Sequence, residues 1–221
     1  MKLVLISDTH TMHRNLELPK GDILIHAGDF TGRGKLEEVE SFFNWLKEKS
    51  NEYKHIIFIA GNHDMCFEYK LTWLQDWLSK LPTNVHYLED SEVVIDGIKF
   101  YGSPWQPEFH NWAFNLPRGK RLADKWSLIP ADTDVLITHG PPLYILDYTF
   151  RDLINVGCKD LYEKVISIKP KLHVFGHIHE GYGYKEHNDI MFINASSCTL
   201  NYYPDNAPVE IYYTPEGTIE F

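Results

Sequence analysis

The chain has 221 residues, 43% of them hydrophobic, which fits one domain of α/β type or one large sandwich with a real core to bury. Its formal charge of −10, from 21 basic and 31 acidic residues, argues against a protein that coats nucleic-acid polymers or anionic membrane, because both need a basic face. Three scattered cysteines, Cys66, Cys158 and Cys198, are too few for a disulfide framework or a CxxC zinc site and read as the reduced thiols of a cytoplasmic protein.

The first predicted element is the strand LVLI at 3–6, which leads into Asp8-Thr9-His10. Its short apolar run is broken by Asp8, so no signal peptide is expected, and no later run approaches the roughly 18 apolar residues of a membrane helix. ILI at 23–25 reads as the next strand and leads through His26-Ala27-Gly28 to Asp29. The segment 35–49 places Leu36, Val39, Phe42, Phe43 and Leu46 at helical spacing, with acids early and lysines late, as a helix dipole favours.

HIIFIA at 55–60 is a third strand, followed by Gly61-Asn62-His63-Asp64. A helix is expected over 71–81 with Pro82 as its stop, then a strand at 99–102. The stretch from Gly102 to Pro130 has weak periodicity and reads as a long loop plus a helix. DVLI at 134–137 leads to His139-Gly140, a helix spans 159–168 before Pro170, and LHVF at 172–175 leads through Gly176 to His177-Ile178-His179. Strands at 191–194 and 209–213 close the series, with a final hairpin turning at Pro215, Glu216 and Gly217. Strands and helices interleave and strands then dominate, so a mixed sheet or a pair of sheets flanked by helices is expected.

Five strand-like runs each deliver Asp, Asn or His at their C-terminal end, the end at which open α/β sheets bind ligands. A lone Asp after a strand is ordinarily a turn or cap residue, and a lone His is ordinarily a hydrogen-bonded surface or half-buried group. That reading is given to His26, His55, His86, His173 and His187. The ordered set DxH, GD, GNHD, HG and GHxH is far harder to explain as punctuation. Two Asp, one Asn and four His supply oxygen and imidazole donors without thiolate, which suits divalent first-row metals. Seven ligands exceed the need of one ion and suit two that share a carboxylate, with a bridging water that loses its proton near neutral pH and becomes a nucleophile.

The series DTH, GD, GNHD, HG and GHIH resembles the calcineurin-like metallophosphoesterase superfamily. HAGDFT (26–31), THGPP (138–142), HVFGHIHEGYG (173–183) and NASSCTLNY (194–202) are similar to the small metallophosphoesterase-domain-containing phosphodiesterases. The resemblance implies one metallophosphoesterase domain over 1–221, folded as a four-layer α/β/β/α sandwich of two mixed β-sheets flanked by helices. It implies that Asp8, His10 and His179 hold a first metal, that Asn62, His139 and His177 hold a second, and that Asp29 bridges them. His63 would protonate the leaving alkoxide, with Asp64 orienting and charging its ring. The implied cofactors are two divalent metal ions, manganese first, with Fe, Zn, Mg and Ni tolerated.

The resemblance favours small phosphodiesters, cyclic nucleotides among them, as substrates; the alternatives are a phosphomonoesterase or a weakly active nucleotide-binding protein of the same fold, and a scaffold that docks partners. No long nucleic acid and no membrane are expected as partners, and the oligomeric state is left open. Trp105, Phe109, His110, Trp112, Tyr182 and Tyr184 are aromatics that could stack on a base, although core packing is the commoner role for each. Arg33 and Arg118 could meet phosphate or lie solvated on the surface. His13 reads as a supporting or solvent-facing group, and Asn194 as a hydrogen-bonding support for the metal loops.

Overall fold

The computed structural model describes residues 1–214 and 216–221. In chain order its strands are β1 (Lys2–Ile6), β2 (Ile23–His26), β3 (His55–Phe58), β4 (Val85–Tyr87), β5 (Ser91–Ile95), β6 (Ile98–Ser103), β7 (Gln106–Pro107), β8 (Asn115–Leu116), β9 (Val135–Thr138), β10 (Tyr148–Thr149), β11 (Ile154–Asn155), β12 (Leu172–Phe175), β13 (Gly183–His187), β14 (Ile190–Asn194), β15 (Val209–Tyr213) and β16 (Ile219–Glu220). The helices are α1 (Leu36–Lys49), α2 (Met65–Glu68), α3 (Thr72–Leu78), α4 (Lys120–Trp126) and α5 (Lys159–Ile168). Among the described residues no helix is long and apolar enough to cross a membrane.

Twelve of the strands form two six-stranded sheets, ordered β16-β15-β1-β2-β3-β4 and β13-β14-β12-β9-β6-β5. Each has a parallel centre with antiparallel strands at the edge: β15 runs against β1, β5 against β6 and β13 against β14. Side-chain parity explains the layering. Leu3 and Leu5 of β1 face the second sheet and pack with Phe100, Val135, Ile137, Leu172 and Val174. Val4 and Ile6 face the other way, onto Val39, Phe42, Phe43 and Leu46 of α1. On the far side, Tyr101, Leu136, Phe175 and Phe192 of the second sheet pack on Leu122 and Trp126 of α4 and on Leu161 and Val165 of α5. Three apolar layers between helix, sheet, sheet and helix make the expected four-layer sandwich of mixed sheets.

Local chemistry sets the helix ends. Glu38 reaches back to accept from the backbone N–H groups of Arg33 and Lys35 and so starts α1 without a Ser or Thr cap. Lys169, in the left-handed region at φ 51°, ends α5 just before Pro170. The helix expected over 71–81 is shorter, 72–78. The expected turn residue Pro215 lies outside the described residues; Tyr213 and Ile219 are paired antiparallel. At one end of the sandwich a parallel bridge between Ser7 and Ser196 joins the first sheet to the second.

Candidate functional site

The C-terminal ends of β1, β2 and β3 in the first sheet and of β9 and β12 in the second converge where Ser7 meets Ser196. Donor atoms of Asp8, His10 and His179 lie within 4.8 Å of one another, and so do those of Asp29, His139 and His177. Asn62 Oδ1 lies 2.9 Å from His139 Nε2. His10, Asp29 and His63 form a further grouping of the same kind, which joins the other two through Asp29 and His10. Asp8, His10, Asp29, Asn62, His63, His139, His177 and His179 are therefore gathered in one place, at five strand ends from two sheets.

The backbone at these positions is strained. Asp8, His10, Asp29 and His177 have φ of 50°, 41°, 57° and 67°, a region that residues with side chains rarely adopt. The glycines before the donors have a steric cause. A Cβ on Gly61 would run into the Asp29 carboxylate, and one on Gly176 would run into the Asp8 carboxylate and the Ser7 side chain. Glycine precedes Asn62 and His177 because a carboxylate already occupies the space.

Three histidines are held in one tautomer. His63, His139 and His179 each place Nδ1 against a backbone carbonyl, of Gly32 (2.7 Å), Ala27 (2.9 Å) and Thr199 (3.0 Å). A carbonyl only accepts, so Nδ1 donates and the lone pair of the neutral ring sits on Nε2, aimed at the centre. His139 Nε2 then faces Asp29 Oδ2 at 3.3 Å as well as Asn62 Oδ1. His179 Nε2 faces Asp8 Oδ1 at 3.5 Å and His10 Nε2 at 3.3 Å. Lone pairs aimed at oxygens and at each other repel unless a proton or a cation stands between them. His10 Nδ1 is buried with no hydrogen-bond partner in the structure. Oxygen and imidazole donors so arranged fit divalent cations.

The charges respond accordingly. Burial would lower the His139 pKa, but the neighbouring Asp29 carboxylate overrides it and holds the ring at about 9. His179 is raised against the same burial by its hydrogen bond and charge interaction with Asp8. Burial works to raise Asp8 and Asp29, yet the surrounding imidazoles keep both well below the usual carboxylate range. Burial pushes His10 down to about 4 and His177 to about 3.

Supporting contacts differ from expectation at one important residue. Asp64 does not orient His63. Its carboxylate accepts from the backbone N–H groups of Gly61 (2.8 Å), Asp29 (2.9 Å) and Thr31 (2.9 Å) and from the Thr31 hydroxyl (2.7 Å). The two glycine loops turn three buried N–H donors toward one point, and Asp64 is the acceptor that satisfies them. The His63 ring is oriented by the Gly32 carbonyl instead. Ser196, not foreseen from sequence, donates its hydroxyl to Asp8 at 3.0 Å beside the His177 N–H at 2.9 Å. Asn194 donates to the Ile178 carbonyl at 2.8 Å and accepts from Ser196 N–H at 3.0 Å, bracing the segment between the two last histidines.

His26 and His173 are fully buried rather than surface groups, each paired with a threonine next to a donor: Thr9 at 2.9 Å and Thr138 at 2.8 Å. His13 is buried against Phe42 and Trp45. Trp105 donates to Asp90 and lies under Lys125, and Arg118 donates to the carbonyls of Val156 and Gly157, so both hold loops together. Trp112 is different: it stacks on the His63 ring with centroids 4.1 Å apart. Phe109 meets His177 edge-on at 6.0 Å, and Tyr202 meets His10 at 4.8 Å.

The family model for calcineurin-like phosphoesterases matches residues 1–181, a span that contains all of the converging acids, amides and imidazoles. The chain is 46% identical over 230 residues to human metallophosphoesterase domain-containing protein 1, covering 95% of this chain and 70% of that one. It is 40% identical to a UPF0046 protein of Caenorhabditis elegans, covering 99% of this chain and 77% of that one. Among solved structures, phosphopantetheinyl hydrolase from Mycobacterium tuberculosis superposes with a TM-score of 0.62 over 94% of this chain and 95% of that one, at 17% identity. With the motif order, the two-sheet sandwich and the clustered donors in agreement, the chain belongs to the calcineurin-like phosphoesterase family.

Proposed function

We propose that this metal-dependent phosphoesterase is a dinuclear phosphodiesterase acting on small phosphodiesters, cyclic nucleotides among them. The observation that carries the reading is the sharing of Asp29. It belongs to the grouping with His139 and His177 and to that with His10 and His63, and His10 in turn belongs with Asp8 and His179. In this reading Asp8, His10 and His179 hold one ion, Asn62, His139 and His177 hold the other, and Asp29 serves both. Bound divalent ions, manganese first, supply positive charge that draws in the phosphate and acidifies the attacking water. The rest belongs to the chain. The strained loops fix the donors before substrate arrives, and the carbonyls of Ala27 and Thr199 keep His139 and His179 turned inward.

His63 is the proton donor. With Nδ1 committed to Gly32, its Nε2 lies 4.0 Å from Asp29 Oδ2, at the centre where the ester would react. As water adds to phosphorus it gives up a proton to solvent and the bond to the leaving oxygen breaks; that oxygen takes a proton from Nε2 and departs as an alcohol, and solvent returns a proton to Nε2. The three free, buried cysteines suit a reducing cytoplasm, and the reading treats 1–221 as one unit.

The test is hydrolysis of bis-p-nitrophenyl phosphate beside p-nitrophenyl phosphate by protein stripped with chelator and reloaded with manganese. Activity restored by metal and higher on the diester is expected. A preference for the monoester would reassign the protein as a phosphomonoesterase, and no turnover of either would favour a nucleotide-binding role.

A further inference from the structure

His63 is held through its backbone, its Nδ1 and its ring faces. Its N–H donates to Asp29 Oδ1 at 2.8 Å, its carbonyl accepts from the Thr31 hydroxyl at 3.0 Å, and its Nδ1 donates to Gly32. One ring contact is the His10 imidazole, edge-on at 4.6 Å. Another is Trp112, stacked at 4.1 Å with 24° between the planes. Trp112 comes from the irregular segment between β7 and β8, remote in sequence from the donors. It is itself engaged by a cation, since the Arg33 guanidinium carbon stands 5.4 Å from the indole centroid. Arg33 directly follows Gly32, whose carbonyl orients His63.

We propose that Trp112, clamped by Arg33, is the positioning residue that keeps the His63 ring turned so that Nε2 meets the leaving oxygen. The proposal rests on the acid role of His63. The Nδ1 hydrogen bond resists the two-fold flip, which would break it, but one bond leaves the ring free to tilt about its own axis. A flat indole against the imidazole face removes that motion, because it would drive ring edges into the indole π-surface. The guanidinium in turn favours one indole orientation through the ring quadrupole. The loop 31–34 thus fixes the acid twice, once through the Gly32 carbonyl and once through Arg33 and the indole. Trp112 acts through His63 and needs no contact with substrate.

The experiment compares Trp112→Ala, Trp112→Phe and Arg33→Ala with the parent and with His63→Ala, on the manganese-loaded full chain, using p-nitrophenyl and phenyl phosphodiesters. An acid matters most for the poor leaving group, so Trp112→Ala should slow the phenyl ester about ten-fold more than the p-nitrophenyl ester. Metal content should not change, and Trp112→Phe should restore most of the loss. In the His63→Ala background Trp112→Ala should cost nothing further. A second readout needs no metal and no turnover: nitrogen NMR of the histidine side chains, with His63 assigned by its absence in His63→Ala. The neutral His63 ring should show one Nδ1-protonated tautomer in the parent and a mixture in Trp112→Ala.

Equal slowing of both esters with an unchanged tautomer would overturn the proposal. Arg33→Ala, at an exposed position, keeps the test decisive if Trp112→Ala does not fold: it should shift the ester ratio in the same direction by a smaller factor, and an unchanged ratio counts against the clamp. Were His63→Ala itself to slow both esters alike, the acid role would fail, while the tautomer comparison would still judge whether Trp112 positions the ring.

Discussion

Gly176 stands where no Cβ fits. Replacing it with alanine forces the Asp8 carboxylate or the backbone to move, so Gly176→Ala should cost about 1–3 kcal/mol in urea unfolding and lower the metal content. Unchanged values of both would show that the loop yields freely. His177→Gly should leave a folded protein that has lost mainly one ion, and full retention of metal would remove His177 from the donor set. Asp8 and His177 are legible in the sequence because each stands two residues after an apolar run. Their second partners are not. Asp64 follows His63 directly, and only the structure shows that its side chain turns away into a knot of three N–H donors. Ser196 reaches Asp8 from 188 residues away, which no local pattern signals.

At the scale of elements, the sequence marks the central strands and the long helices well. LHVF and VEIYY coincide with β12 and β15, and 159–168 with α5. The buried parallel strands are continuous apolar runs, and α1 carries a clear amphipathic stripe. Two edge hairpins, absent from the expected elements, carry their own turn signals. β5 and β6 turn at Asp96-Gly97, with φ of 50° and 82°, and β13 and β14 turn at Asn188-Asp189, with φ of 54° and 62°. Both are two-residue turns of the kind that favour Asp, Asn and Gly at positive φ. The solvent-facing strands β5 and β13 lack the apolar density that marks the buried ones. Within α1, Phe42 stacks on Phe30 with centroids 3.9 Å apart, on the loop just after Asp29. Phe42→Ala should therefore cost about 3–5 kcal/mol of stability, read as a lower denaturation midpoint. A loss within error of zero would mean that this layer closes over the cavity.

For the molecule as a whole, buried histidines away from solvent tie stability to pH. Burial alone pushes His173 from 6.5 down to about 3, and burial likewise dominates at His26, also about 3. Above 6.5 both rings are neutral whether the chain is folded or not. Below it the unfolded chain takes up protons that the folded chain refuses, so stability falls as pH drops from about 6.5 toward 3, by up to about 1.4 kcal/mol per pH unit for each ring. His173→Gln, which can still bond Thr138, should flatten that slope by one proton's worth, and an unaltered slope would place the acid sensitivity elsewhere. The acidic chain and its site are compatible on this view, because the charge that draws in phosphate comes from bound cations rather than from lysine or arginine.

One carboxylate, Asp29, is proposed to serve two ions. Metal analysis of the manganese-loaded parent and of Asp29→Asn, each after exhaustive dialysis, tests it. Two ions per chain in the parent and a reduced content at both positions in Asp29→Asn are the predicted result. One ion per chain in the parent, or two retained by Asp29→Asn, would contradict it.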